Sequence, residues 1–103
     1  MKGYKFEIYI GLKDKETYEE IFNEEIFASI LSRICLNRKI AFSLTNQLGG
    51  FAHNKGYTTE TSLKITLIGS TEEIANELGE TLKELINTDT ILITKEEIEY
   101  YFK

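Results

Sequence analysis

His53 is the one histidine of the chain, and it stands in the segment NQLGGFAHNKGYTTETS, residues 46–62, with three of the seven glycines. A lone imidazole offers a general base, but no orienting partner can be read at a fixed spacing from it. Paired with Glu60 it makes two metal ligands, too few for a site built from one copy of the chain. Gly49 and Gly50 carry a different signal. Without side chains they admit backbone angles closed to other residues and let a ligand approach the main chain. Their amides, with Asn46 and Gln47 beside them, suit an anion or the edge of a base. Phe51 and Tyr57 supply flat faces for stacking. The candidate ligand-binding set is therefore Asn46, Gln47, Gly49, Gly50, Phe51, His53, Tyr57 and Glu60. No catalytic residue and no metal set is assigned, and the cofactor is left unknown. The competing reading is architectural: Gly49–Gly50 forms a bulge in a long hairpin turned by Asn54–Lys55–Gly56.

Other chemistry is hard to find. There is no nucleophile elbow, no phosphate-binding loop and no paired Cys or His spacing. An enzyme using His53 with Tyr9 or Tyr57 lacks a readable base–orienter pair. The acidic pairs Glu19–Glu20, Glu24–Glu25, Glu72–Glu73 and Glu96–Glu97 read as wet faces, the helical ones also suiting helix N-termini. Cys35 is single and sits in an apolar pattern, where a thiol acts as a small core hydrophobe. A net charge of −5 with scattered Lys and Arg argues against nucleic acid as a partner. No run approaches the roughly 20 apolar residues of a membrane span, and Lys5 and Glu7 interrupt the first apolar stretch. The expectation is a cytoplasmic protein with no membrane partner.

The elements that must position the segment follow from periodicity. Tyr4, Phe6, Ile8 and Ile10 alternate with Lys5, Glu7 and Tyr9, the two-residue period of a strand closed by Gly11. Thr17 three residues before Glu20 predicts a capping box and a helix over 17–37. Ile40, Phe42 and Leu44 predict a second strand. Thr59, Thr61, Leu63, Ile65 and Leu67 predict a third, with Ser62, Lys64, Thr66 and Ile68 on its other side. Ser70 and Glu73 predict a second capping box, opening a helix with its stripe at Ile74, Ala75, Leu78, Leu82, Leu85 and Ile86. TILIT, residues 90–94, predicts a fourth strand. Ile98, Tyr100 and Phe102 predict a short fifth strand or a helical turn. The order β-α-β-β-α-β over 1–103 predicts one α+β domain, a ferredoxin-like split sandwich with a four-stranded antiparallel sheet and both helices on one face. The free face is mixed in character, with Tyr9, Ile68 and Leu92 on it, which points to a homo-oligomer, dimer or trimer.

The stretch LGGFAHNKGYTTETSLKITLIG resembles PII-like signalling proteins of the cyclic di-AMP receptor type, with a G-G-F loop before a strand ending in an apolar-I-G step. That resemblance implies trimers that bind nucleotides in clefts between subunits, and it extends to Gly49, Gly50 and Phe51 alone. Gln47 and Leu48 depart from it, standing where hydroxyl residues precede the glycines. Glu7, Tyr9, Gly11 and Leu12, then Gly49 and Phe51, then Glu60 and Ser62 resemble an uncharacterised bacterial family with an E-x-Y-x-G-L start. The expected function is a small oligomeric ligand-binding or regulatory module that holds a small molecule, such as a nucleotide, at 46–62. The alternative is a protein-interaction module using acidic helix faces or a sheet edge, with a protein as its partner.

Overall fold

The computed structural model of the chain describes residues 1–53 and 56–103, with side chains over 1–46 and 62–103. Its elements are β1 (Lys2–Gly11), α1 (Glu24–Arg38), β2 (Ser43–His53), β3 (Gly56–Ser70), α2 (Glu72–Ile86) and β4 (Leu92–Glu99). They form a four-stranded sheet in the order β2-β3-β1-β4, with each neighbouring pair antiparallel. This is the ferredoxin-like α+β sandwich that the element order predicts.

One side of the sheet is dry. Phe6, Ile8 and Ile10 from β1 and Leu63, Ile65 and Leu67 from β3 are buried, as alternation requires. Against them lie Phe27, Leu31 and Cys35 of α1 and Ala75, Leu78, Leu82 and Ile86 of α2. Cys35 is fully buried in this core, and that burial raises its thiol above the ordinary value. Lys5, Glu7 and Tyr9 stand on the other side of β1, opposite Ile68, Thr66 and Lys64 of β3.

Helix α1 begins at Glu24 and not near Thr17. Asp14 takes the turn instead, its Oδ1 accepting from the amides of Glu16 at 2.7 Å and Thr17 at 3.0 Å. Tyr18 follows with φ 59°, a backbone angle that ends any helix. The cap is Asn23, whose Oδ1 accepts from the amide of Ile26 at 2.8 Å. The loop is anchored rather than free: Asn87 Nδ2 donates to Asp14 Oδ2 at 2.9 Å, and Lys15 N donates to Asn87 O at 3.0 Å. The second capping box is off by one, because Thr71, not Ser70, accepts from Ile74 N.

Strand β2 starts at Ser43, three residues beyond Ile40, and continues to His53. The predicted turn at Asn54–Lys55 lies outside the described residues. No fifth strand forms among the described residues. Ile98 and Glu99 close β4, which runs well past the predicted TILIT. Tyr100 then turns back to the start of the chain, its amide donating to Met1 O at 2.8 Å and its carbonyl accepting from Met1 N at 2.9 Å.

Candidate functional site

A strand whose period puts Lys, Glu and Tyr at successive positions on one side delivers three polar groups to a single surface. On β1 these are Lys5, Glu7 and Tyr9, and β3 adds Lys64 in register with Tyr9. The Tyr9 hydroxyl donates to Glu7 Oε2 at 2.7 Å. Lys5 Nζ stands 3.4 Å from Glu7 Oε1 and Lys64 Nζ 3.6 Å from Oε2. Lys5 also reaches Glu96 Oε2 of β4 at 3.1 Å. The Glu7 side chain is 18% exposed and those of Lys5 and Lys64 are 30% exposed. One sheltered carboxylate thus meets two ammonium groups and a phenol.

The electrostatics follow from that crowding. The Tyr9 hydrogen bond, ahead of the two lysines, holds the Glu7 carboxyl below its ordinary value. The same bond raises the Tyr9 phenol, and Glu96 with Glu7 raises Lys5. A depressed carboxyl stabilises the fold above its unfolded value and stops doing so as pH falls through the folded one. Stability is therefore expected to fall on acidification below the ordinary Glu value of 4.5. Glu7→Gln is expected to flatten that part of the profile, read by urea unfolding between about pH 3 and 6. An unchanged slope would mean that Glu7 is not held by its neighbours.

The hairpin is the second component. Gly11, the last residue of β1, is in register with Ser62, and Ser62 with Gln47. Beyond that row β2 and β3 continue for six further pairs, Leu48↔Thr61 to His53↔Gly56. No third strand joins them among the described residues. At about 3.3 Å per residue this two-stranded arm reaches roughly 20 Å past the sheet. The long axis of the molecule is accordingly 46 Å, against 27 and 23 Å for the others.

Register divides the candidate residues. Positions in register across an antiparallel ladder share one parity, and so do positions two apart. Gly49 is opposite Glu60, Phe51 opposite Thr58, and His53 opposite Gly56. These positions and Gln47 have the parity of Ser62, Lys64, Tyr9 and Glu7. Asn46, Gly50 and Tyr57 have the other parity, that of Leu44 and Leu63. The eight positions therefore divide between the two sides of the ladder. The side chains of Gln47, Phe51, His53, Tyr57 and Glu60 lie outside the described residues. Asn46 is described: its Nδ2 donates to Glu24 Oε2 at 2.6 Å, tying the base of the arm to the first turn of α1. The shallow depression there has a volume of about 240 Å³ and is lined by Glu24, Glu25, Ala28, Leu44, Asn46 and Leu63.

Sequence reasoning passed over Lys5, Lys64 and the chemical use of Glu7. The signal was present, since a Lys-x-Glu-x-Tyr strand must place all three on one side. Among the described residues no group of three or more His, Cys, Asp or Glu is placed to hold a metal ion.

No protein-family model matches the chain, and no curated protein does. Solved structures do. A phage SAM lyase in complex with S-methyl-5'-thioadenosine superposes with a TM-score of 0.70 at 21% identity, over 92% of this chain and 81% of that one. A phage SAM lyase in the apo state superposes with a TM-score of 0.72 at 21% identity, over 93% and 81%. The chain shares its fold with a phage SAM lyase. At this identity the likeness carries the backbone arrangement and leaves activity to be argued separately. No helix among the described residues is long and apolar enough to cross a membrane.

Proposed function

We propose that the chain is a small oligomeric ligand-binding module whose β2–β3 arm holds an adenosine-containing ligand of the S-methyl-5'-thioadenosine class. The observation that carries the reading is the stretch of ladder that leaves the sheet after Ser62 and takes Gly49, Gly50 and Phe51 with it. A two-stranded ribbon is marginal in water by itself. A second copy packed beside the arm would supply cover and, with it, the other wall of a cleft. That arrangement accords with the PII-like resemblance, in which nucleotides sit between subunits. The ligand class is taken from the phage SAM lyase complex, whose fold this chain shares. Residues of three separate motif fragments, Glu7 with Tyr9, Gly49 with Phe51, and Glu60 with Ser62, also fall on one parity of the ladder.

Thermal unfolding with and without S-methyl-5'-thioadenosine, SAM and ATP tests the reading. A ligand at 100 times its dissociation constant adds about 2.7 kcal/mol of stability, which in a domain of this size raises Tm by roughly 10 °C or more. The expected order is S-methyl-5'-thioadenosine and SAM ahead of ATP. No shift with any of the three at millimolar concentration would sink the proposal. Sedimentation equilibrium reads the copy number, and chromatography of SAM incubated with the protein reads turnover.

The second reading is a protein-interaction module without a small ligand. It is favoured by the exposed groove on α1, lined by Ile26, Ser29, Ile30, Arg33, Ile34 and Asn37, and by the place of β2 at the sheet edge. A recovered protein partner together with a flat ligand screen would select it.

A further inference from the structure

An extended ligand needs a second point of attachment, and the surface next to the arm offers one of definite chemistry. Glu7, Lys5 and Lys64 place both signs of charge side by side on the open side of the sheet. Tyr9 occupies Glu7 Oε2 at 2.7 Å, and among the described residues Oε1 has the 3.4 Å approach of Lys5 alone. Ion pairs at 3.4 and 3.6 Å between partly exposed partners are weak and readily exchanged. A ligand bearing the same two charges at the same spacing can replace them without stranding either sign. An α-amino acid group is such a ligand. Its ammonium meets Glu7, and its carboxylate meets Lys64 with Lys5 beside it.

The placement is also right for the ligand class proposed above. Lys64 is four residues along β3 from Glu60, which is in register with Gly49. At about 3.3 Å per residue that separation is roughly 13 Å, of the order of the span from the adenine to the amino-acid end of SAM. We infer that Glu7, Lys5 and Lys64 form the subsite for a zwitterionic amino-acid group joined to the adenosine held by the arm. The inference rests on the proposed function and adds the half of the ligand that S-methyl-5'-thioadenosine lacks.

S-adenosylhomocysteine and S-methyl-5'-thioadenosine separate the two claims. Both are uncharged at sulfur, and only the first carries an amino-acid tail. Titration calorimetry is expected to give S-adenosylhomocysteine the lower dissociation constant by on the order of tenfold, the effect of one hydrogen bond to a charged group. Lys64→Met and Glu7→Gln are each expected to bring the ratio of the two constants toward one. Lys5→Met is the substitute where a melting curve finds either variant unfolded. A wild-type ratio near one overturns the subsite while leaving the arm proposal standing. A ratio that falls in Lys64→Met but not in Glu7→Gln overturns the zwitterion, since it describes a receptor for an anion alone. Failure of both ligands to bind removes the arm proposal and the subsite together.

Discussion

Phe27→Ala is expected to lower the free energy of unfolding by about 3–5 kcal/mol. Helix α1 is held to the sheet by a narrow seam, Phe27, Leu31 and Cys35, each 0% exposed and spaced four residues apart. Ile34 packs against the edge of that core, whereas Ile26 is 49% exposed and Leu36 is 76% exposed. Phe27 is the largest of the seam residues and the nearest to the Asn23 cap, so its loss opens a cavity where the helix begins. A domain of this size has only about 5–15 kcal/mol in hand, and a large share of it would go. Urea unfolding reads the effect, with Ile26→Ala as the matched control at a change of about 1 kcal/mol or less. A cost for Phe27→Ala no larger than for the control would mean that α1 is not seated as described. The change also bears on the site, because the first turn of α1 binds the base of the arm through Glu24 and Asn46.

Gly69→Val is expected to cost about 2–3 kcal/mol, most of it backbone strain and a smaller part steric. Gly69 has φ 69°, in the left-handed region that a β-branched residue resists. It marks the bulge at which the register of β1 and β3 slips between Tyr4↔Ser70 and Lys5↔Ile68. A Cβ added there would also meet the Tyr100 ring, 2.5 Å from its hydroxyl oxygen and 2.9 Å from Cζ. The same ring covers Gly3, where a Cβ would come within 3.1 Å of it. The steric contribution can be removed independently. Tyr100→Ala in the Gly69→Val background should recover the steric part and leave the backbone strain, a sub-additive double-mutant cycle. Strict additivity of the two substitutions would contradict the contact.

Most of the fold was legible because its signals are local. The alternation of Phe6, Ile8 and Ile10 on β1 and the stripe from Ala75 to Ile86 on α2 leave little choice of period, and burial follows both. The start of α1 departs from the capping-box spacing for a physical reason. Thr17 and Glu20 have capping-box spacing, but Asp14 lies close enough upstream to take the amides of Glu16 and Thr17 first. Short polar side chains compete for the same donors, and spacing alone does not say which one wins. Ile21 and Phe22 then continue the apolar pattern up to Asn23, which disguises the true cap.

Residue types in 46–62 mark the segment as a candidate, but the sides of the ladder on which they fall were not legible. The sequence places 46–62 between two strands, whereas the ladder itself runs through it from Gln47↔Ser62 to His53↔Gly56. Which of its residues share a side depends on the register of β2 against β3, and a shift of one residue exchanges every position. Pairing of Gly49 with Glu60, and not with Thr59 or Thr61, separates Asn46, Gly50 and Tyr57 from the other five. The Lys5–Glu7–Tyr9 row needed no register at all, only the joint use of period and charge.

The hydrogen bonds between Met1 and Tyr100 bring the first and last strands together at one pole of the sheet. The arm leaves from the opposite pole, beyond Gly11, some ten residues or about 30 Å away along β1. A purification tag, a fluorophore or an immobilising surface attached at either terminus therefore stands clear of the ladder from Gln47 to Ser62. Tethered assays can use either orientation without covering it.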